Sequence, residues 1–260
     1  MITSPQNAWI RRIREAIREH AEEIVIEGPK AVADALAHDW KAIAVFHRGS
    51  GRTSKVAQPS ATALTSLPPR ALSDVRPDPF EVAPELFDRL SETKTSQGVL
   101  ALFKRPHHSS AALLAHRDSI IVALDAVQDP GNVGTIVRLA AAFDAAGVAL
   151  LPGCADPFGP KAIRASAGAI LNVPVATVTA SDLIESFLPL FAAAGDGAPI
   201  EPPSRGAVLI FGNEGAGVSP ELRYAATPIA IATSGRVESL NVAASAAILL
   251  ARSFAGRMKG

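Results

Sequence analysis

Ile120-Ile121-Val122-Ala123-Leu124 is a strand-length apolar run that leads, after four residues, into Asp129-Pro130-Gly131-Asn132-Val133-Gly134-Thr135-Ile136-Val137-Arg138. A run this continuous fits a strand covered on both faces. The glycine-bearing stretch behind it opens a helix, and a polar loop between a buried strand and a helix N-terminus is where parallel α/β proteins place ligands. The same rhythm continues to the C-terminus. Strands are predicted at 148–151, 173–178, 207–211 and 229–232. Helices are predicted at 133–146 (ended by Gly147), 161–169, 181–194 with Ser181 as cap, and 239–253, with Ser219-Pro220 starting one more. Alternation of this kind specifies a parallel sheet with right-handed crossovers, an α/β fold.

Working back toward the N-terminus, the pattern becomes a smaller α/β module. Ile10, Ile13 and Ile17 recur at helical spacing in an amphipathic first helix. Short strands at 24–26, 42–46 and 98–103 surround a helix at 30–37, which follows the Gly28-Pro29 break, and one or two helical turns at 86–90. Residues 47–59 are a loop rich in Gly, Ser and Arg, and prolines keep the elements of 62–84 short. The predicted organisation is therefore a module over 1–105, a linker over 106–118 broken by Pro106 and paired serines, and a larger domain over 119–260.

Composition narrows the chemistry. No stretch approaches the roughly 18 apolar residues that a membrane span needs. The N-terminus has no apolar signal region, and Glu15 and Glu19 among Arg11, Arg12, Arg14 and Arg18 argue against a transit peptide. Cys154 is the only cysteine, so an intrachain disulfide is impossible and no cysteine zinc site or other metal site is expected. A cytoplasmic protein is the expectation. The formal net charge is zero, but residues 1–117 carry a balance of +3 and residues 118–260 one of −3. All six histidines lie in the first part. This polarity fits one half touching a polyanion and the other doing chemistry.

Three segments of the second half have chemistry-bearing tips. Asp129 to Gly134 offers backbone N–H groups at a helix start, but its glycine spacing matches neither the dinucleotide fingerprint nor the phosphate loop of nucleotide hydrolases. Arg138 lies two turns into an otherwise apolar helix. Phe211-Gly212-Asn213-Glu214-Gly215-Ala216-Gly217 follows the strand Val208-Leu209-Ile210, and its glycines let a ligand approach the backbone. Glu238-Ser239-Leu240-Asn241-Val242 enters an apolar, alanine-rich helix that must be buried against the sheet or a partner subunit, with Ser239 or Asn241 as its cap.

Together and at this spacing, the three segments closely resemble the SpoU/TrmH family of RNA ribose 2′-O-methyltransferases. The resemblance continues through Ala155-Asp156-Pro157-Phe158-Gly159-Pro160-Lys161-Ala162-Ile163-Arg164-Ala165-Ser166-Ala167-Gly168-Ala169 and spans about residues 119–254. Ile26-Glu27-Gly28-Pro29-Lys30-Ala31-Val32 and Thr95-Ser96-Gln97-Gly98-Val99-Leu100-Ala101 are similar to that family's ribosomal-protein-like RNA-binding module. The resemblance implies a C-terminal parallel-sheet α/β trefoil knot of the SPOUT type, a small N-terminal RNA-binding domain, a homodimer and S-adenosylmethionine as cofactor. It implies cofactor contacts by Gly212, Ile231 and Leu240. It also implies polar site positions at Asn132, Arg138, Glu214, Ser239 and Asn241, with Arg138 in the catalytic role. One departure is Ala232, followed by Thr233-Ser234, where the family commonly carries proline. That implies a less rigid cofactor loop.

Methyl transfer from a sulfonium to a ribose hydroxyl requires oxygen, carbon and sulfur in line. Residues 118–260 contain no histidine and only Lys161 and Lys259 as lysines, so the proton acceptor is Arg138, Glu214, a substrate phosphate or water. A guanidinium holds its proton too tightly to serve readily as a base, which favours Arg138 as stabiliser of a developing alkoxide. No metal is required. Arg11, Arg12, Arg14, Arg48, Arg52 and Lys55 are the candidate phosphate contacts of the N-terminal module. The RNA partner is read as rRNA ahead of tRNA. Two other readings stay open: a nicotinamide- or nucleotide-binding enzyme, and an RNA-binding member of the fold without activity.

Overall fold

The structure, a computed structural model, describes residues 1–19, 22–49, 79–91 and 96–259. It divides into two compact units, Met1–Pro106 with Phe158–Pro160, and His107–Pro157 with Lys161–Gly260. Among the described residues no helix is long and apolar enough to cross a membrane.

The first unit runs α1 (Ala8–Glu19), β1 (Glu23–Glu27), α2 (Pro29–Ala37), β2 (Ala42–Arg48), β3 (Phe80–Val82), α3 (Pro84–Asp88) and β4 (Val99–Lys104). Its sheet has the order β1-β4-β2-β3, antiparallel except for the β2–β3 pair. β4 is interior, which is why Val99 to Phe103 are buried without alternation. α1 buries Ile10, Ile13 and Ala16 and joins Phe46, Val82, Phe87, Leu100 and Leu102 in one core. Trp9 closes its edge against Phe46 and Phe80.

The second unit continues with α4 (Ser110–Leu114), β5 (Ile120–Asp125), α5 (Pro130–Ala142), β6 (Gly147–Leu150), α6 (Pro160–Ser166), β7 (Val175–Thr177), α7 (Ala180–Glu185), β8 (Leu190–Ala198), β9 (Ala207–Gly212), α8 (Pro220–Ala225), β10 (Thr227–Ile229) and α9 (Val242–Lys259). The sheet is parallel throughout, in the order β10-β8-β9-β5-β6-β7. Ile121, Ala123, Val208 and Ile210 face a core closed by Leu113 and Leu114 of α4, Leu183 of α7 and Leu222 of α8. Their strand neighbours point to the opposite face, as the two-residue period requires, and there α5 and α9 pack on each other and on the sheet.

Several local expectations change. Residues 190–194, predicted as the end of a helix, form the start of β8, because Leu190, Phe191 and Ala192 pair with Val208, Leu209 and Ile210. Pairing inside the sheet overrides the helical preference of the alanines. α7 is correspondingly short and is capped by Thr179 with Asp182 in a reciprocal box, in place of Ser181. α5 stops at Ala142, and Asp144 takes a positive φ of 52°. Gly147 instead opens β6, where a Cβ would lie 2.5 Å from the Pro174 carbonyl oxygen. Within 106–118, Ser109 caps a helix, accepting from the Ala112 N–H at 3.2 Å, and Leu113 and Leu114 are part of the core.

Candidate active site

The C-terminal ends of β5 and β9 lie side by side, with Asp125 paired to Gly212. Asp125 is 6% exposed and accepts a hydrogen bond from the Ser219 N–H at 2.6 Å, which anchors the start of α8 to β5. Between Gly212 and Val218 the chain folds back tightly. Asn213 and Gly217 exchange backbone hydrogen bonds of 3.0 and 2.9 Å, and the Asn213 side-chain oxygen accepts the N–H groups of Gly215 and Ala216 at 2.9 Å each. Its amide donates to the Ala126 carbonyl at 2.9 Å, fixing this loop to the end of β5. Gly212 has no room for a side chain: a Cβ there would be 2.1 Å from the Gly217 carbonyl carbon.

Glu214, at the loop tip, reaches across to the first segment. It accepts the backbone N–H groups of Gln128 and Asp129, each at 3.3 Å, and the Asn132 side-chain amide at 2.9 Å. The Asn132 oxygen accepts in turn from the Asn241 amide at 3.2 Å, which brings in the third segment. Asn241 also caps α9, its oxygen accepting from Ala243 at 2.9 Å and Ala244 at 3.2 Å. Asp129 caps α5 through the Asn132 N–H at 3.0 Å and pairs with Lys161 at 2.7 Å. One continuous polar chain, Glu214–Asn132–Asn241, therefore joins segments that are 82 and 109 residues apart in sequence.

Parallel helices carry this chain. α5 and α9 start together at Asn132 and Asn241 and end together, where Phe143 packs on Phe254 and Arg257 pairs with Asp144 at 2.8 Å. Their positive dipole ends favour an anion at this point. Burial pushes the Glu214 carboxyl upward, but the hydrogen bonds from Asn132, its own loop, Gln128 and Asp129 outweigh it and hold the pKa below its ordinary value. The Asp129 carboxyl is held low as well, first by Lys161 and then by the Asn132 N–H. Glu214 is thus an anion with little capacity as a base near neutral pH.

Beside the chain lies a cavity of about 440 Å³, walled by 193–195, 211–218 and the return segment 229–242. That volume is within the range of small-molecule and cofactor sites, about 300–1,000 Å³. Gly212, Ile231 and Leu240 all line it, as do Glu214, Ser239 and Asn241. Phe211, Val218 and Ile229 supply an apolar wall, and the charged lining groups are Glu214, Glu238 and Arg223, the last paired with Asp196. Asn132 touches the cavity only through its bonds to Glu214 and Asn241. Arg138 does not line it: the side chain is exposed on α5 and has no bonded partner among the described residues.

Asp125, Asn213, Glu238 and Arg223 complete the site without having been singled out in the sequence. Asp125 carries a signal, being an acidic residue directly after a fully apolar strand; the others gain meaning only from their neighbours in space. Among the six candidate phosphate contacts of the first unit, Arg12 is bonded to Glu23, and Arg48 grips Asp88 through two bonds of 2.8 and 2.9 Å. Arg11 and Arg14 have no bonded partner among the described residues, while Arg52 and Lys55 lie outside the described residues.

Residues 119–251, about half the chain, match the family model described as the SpoU rRNA Methylase family. The chain belongs to the SpoU rRNA methylase family. By that membership it is an RNA methyltransferase. Over 179 residues this SpoU chain is 33% identical to a 23S rRNA guanosine-2′-O-methyltransferase of Bacillus subtilis, covering 66% of itself and 70% of that relative. It is 25% identical to a 23S rRNA uridine-2′-O-methyltransferase of Streptomyces viridochromogenes, covering 94% of itself and 86% of the relative. Among solved structures, an AdoMet-bound rRNA methyltransferase from Sinorhizobium meliloti superimposes with a TM-score of 0.82 at 27% identity, over 98% of this SpoU chain and 97% of that one.

Proposed function

We propose that this protein transfers a methyl group from S-adenosylmethionine to a ribose 2′-hydroxyl of structured ribosomal RNA, as a cytoplasmic homodimer whose first unit grips the RNA. The observation that carries the reading is the joining of three chain-distant segments through Glu214, Asn132 and Asn241, the second and third of which line one cavity. The cavity fits the methyl donor in size and chemistry. Backbone groups of the glycine-rich turn lie open to a ligand, Phe211, Val218, Ile229 and Leu240 offer apolar surface for a purine, and Glu214 and Glu238 complement its cationic groups. Arg223 matches its carboxylate. The bound donor supplies an electrophilic methyl carbon on a sulfonium, so no metal is required. The relatives from B. subtilis and S. viridochromogenes, both named as 23S rRNA 2′-O-methyltransferases, favour a ribose of rRNA as acceptor over tRNA.

The protein's own residues then divide the work. Asn132 and Asn241, each bonded through both its amide nitrogen and its oxygen, fix the loops. Glu214 is committed to three donors that hold its loop, so the proton on the oxygen passes, as the methyl transfers, to water or a substrate phosphate. Arg138, uncommitted within the chain, stabilises the developing alkoxide and steers the adjacent phosphate. The trefoil knot and the dimer belong to the same reading; in support of the dimer, Ala244 and Ile248 lie exposed one turn apart on α9, with Ala255, Gly256 and Met258 exposed nearer its end. The test is incubation of the purified protein with methyl-labelled S-adenosylmethionine and unmodified 23S rRNA, 16S rRNA and tRNA, followed by nucleoside mass spectrometry. A 2′-O-methyl nucleoside from rRNA is expected; label on a base or only in tRNA would overturn the proposal.

A further inference from the structure

The arginines of the first unit fall into two sets. Arg12 is bonded to Glu23, Arg48 to Asp88, and Arg105 is likewise engaged. The side chains of Arg11, Arg14, Arg18 and Arg89 have no hydrogen bond or ion pair among the described residues, and all four line one groove of about 680 Å³. α1 builds one wall of it: positions 11, 14 and 18 recur at spacings of three and four and share a helix face about 10 Å long. The other wall is the segment just after α3, with Arg89, Leu90 and Ser91. Among the described residues Glu15 is the one carboxylate in the lining.

The neighbouring groove on α1, lined by Glu15, Glu19, Glu22 and Glu23 with Arg11 and Arg12, carries the opposite balance. Arg11 and Glu15 form the edge common to both, with the unpaired Arg14, Arg18 and Arg89 gathered on one side of it. Like charges converging without counter-ions repel each other, and a polyanion removes that cost. Guanidinium groups match phosphate by paired hydrogen bonds, and a row of them along two helix turns matches successive phosphates of a strand.

We infer that the groove formed by Arg11, Arg14, Arg18 and Arg89 is the phosphate-backbone contact of the RNA substrate. This rests on the proposed RNA methyltransferase activity and adds Arg18 and Arg89, which sequence alone did not single out, while Arg12 and Arg48 act as internal ion pairs. Recognition there is of backbone shape and charge, independent of base identity.

The test measures the affinity of the full chain for protein-free 23S rRNA transcribed in vitro, across a salt series. Affinity for S-adenosylmethionine is followed by calorimetry and the fold by circular dichroism. R18Q/R89Q is expected to bind the RNA at least about tenfold more weakly at low salt, with the slope of log affinity against log salt reduced by about 1.5–2. Its cofactor affinity and melting curve should match the wild type. R18E/R89E should show a larger loss, and E19Q, on the acidic side, none. Wild-type affinity and salt slope in both double variants would overturn the groove while leaving the activity standing. A wild-type protein that binds the cofactor but no RNA at any salt would overturn the RNA reading itself, and the groove with it.

Discussion

Glu214 and Arg138 were both expected to be polar members of one site, and the structure uses them in opposite ways. Glu214 accepts three hydrogen bonds from the first segment and holds two loops together. Arg138 is left exposed with no bonded partner among the described residues. Replacing Arg138 with Ala should lower kcat by about 10²–10³-fold, the range for losing one group that stabilises a developing oxyanion. Cofactor affinity should hold, because Arg138 does not line the cavity. R138K separates charge from geometry: partial activity indicates a point charge, near-complete loss a bidentate fork, and wild-type activity in R138A would remove the residue from the mechanism. For Glu214 the consequence is a pH dependence. Its carboxyl titrates lower folded than unfolded, so the stability it contributes is present above the unfolded value of about 4.3 and lost as pH falls through the folded one. The thermal midpoint should be level from about pH 8 to 5 and drop below about pH 4. E214Q should have a lower midpoint at neutral pH and a shallower acid decline, read by calorimetric scans.

Helix contacts place these groups. Gly134 lies where α5 crosses α6, and a Cβ there would sit 2.2 Å from the Ala162 carbonyl oxygen and 2.8 Å from the Ala165 Cβ. G134A must separate the two helices, at a cost of about 1–3 kcal/mol in denaturant unfolding. Because the displacement moves Asn132, cofactor affinity should fall as well; an unchanged affinity would argue that the N-terminus of α5 does not order the cavity. The first segment was legible as a ligand loop because a buried run followed by a glycine-bearing polar stretch and an apolar helix is a local signal; the helix starts earlier than the predicted 133, at Pro130 with Asp129 as its cap. β8 was not legible. Its Ala192, Ala193 and Ala194 favour helix locally, and the strand is set by the pairing of Leu190, Phe191 and Ala192 to β9 across the intervening loop.

At the level of the whole chain, the two units divide a charge balance that the sequence already showed, and the proposed assembly follows from one helix. Ile248 is 36% exposed on α9, in line with the exposed Ala244 one turn earlier. I248E should convert a dimer to a monomer in sedimentation velocity, with a far-UV spectrum unchanged; a wild-type monomer at assay concentration would refute the assembly, and an I248E dimer would place the contact elsewhere.

Periodicity, turn chemistry and capping residues are properties of neighbours along the chain. They were enough to specify the α/β fold and to mark three polar segments that the structure joins through side-chain hydrogen bonds. Which polar groups meet is a different kind of fact. That Glu214 bonds to Asn132 and Asn132 to Asn241, that Arg12 and Arg48 are paired while Arg18 and Arg89 stand open, and that Gly134 clears α6, all depend on groups distant in sequence. Packing of the sheet and its helices sets those distances, and a hydrogen bond or ion pair exists only once they are set.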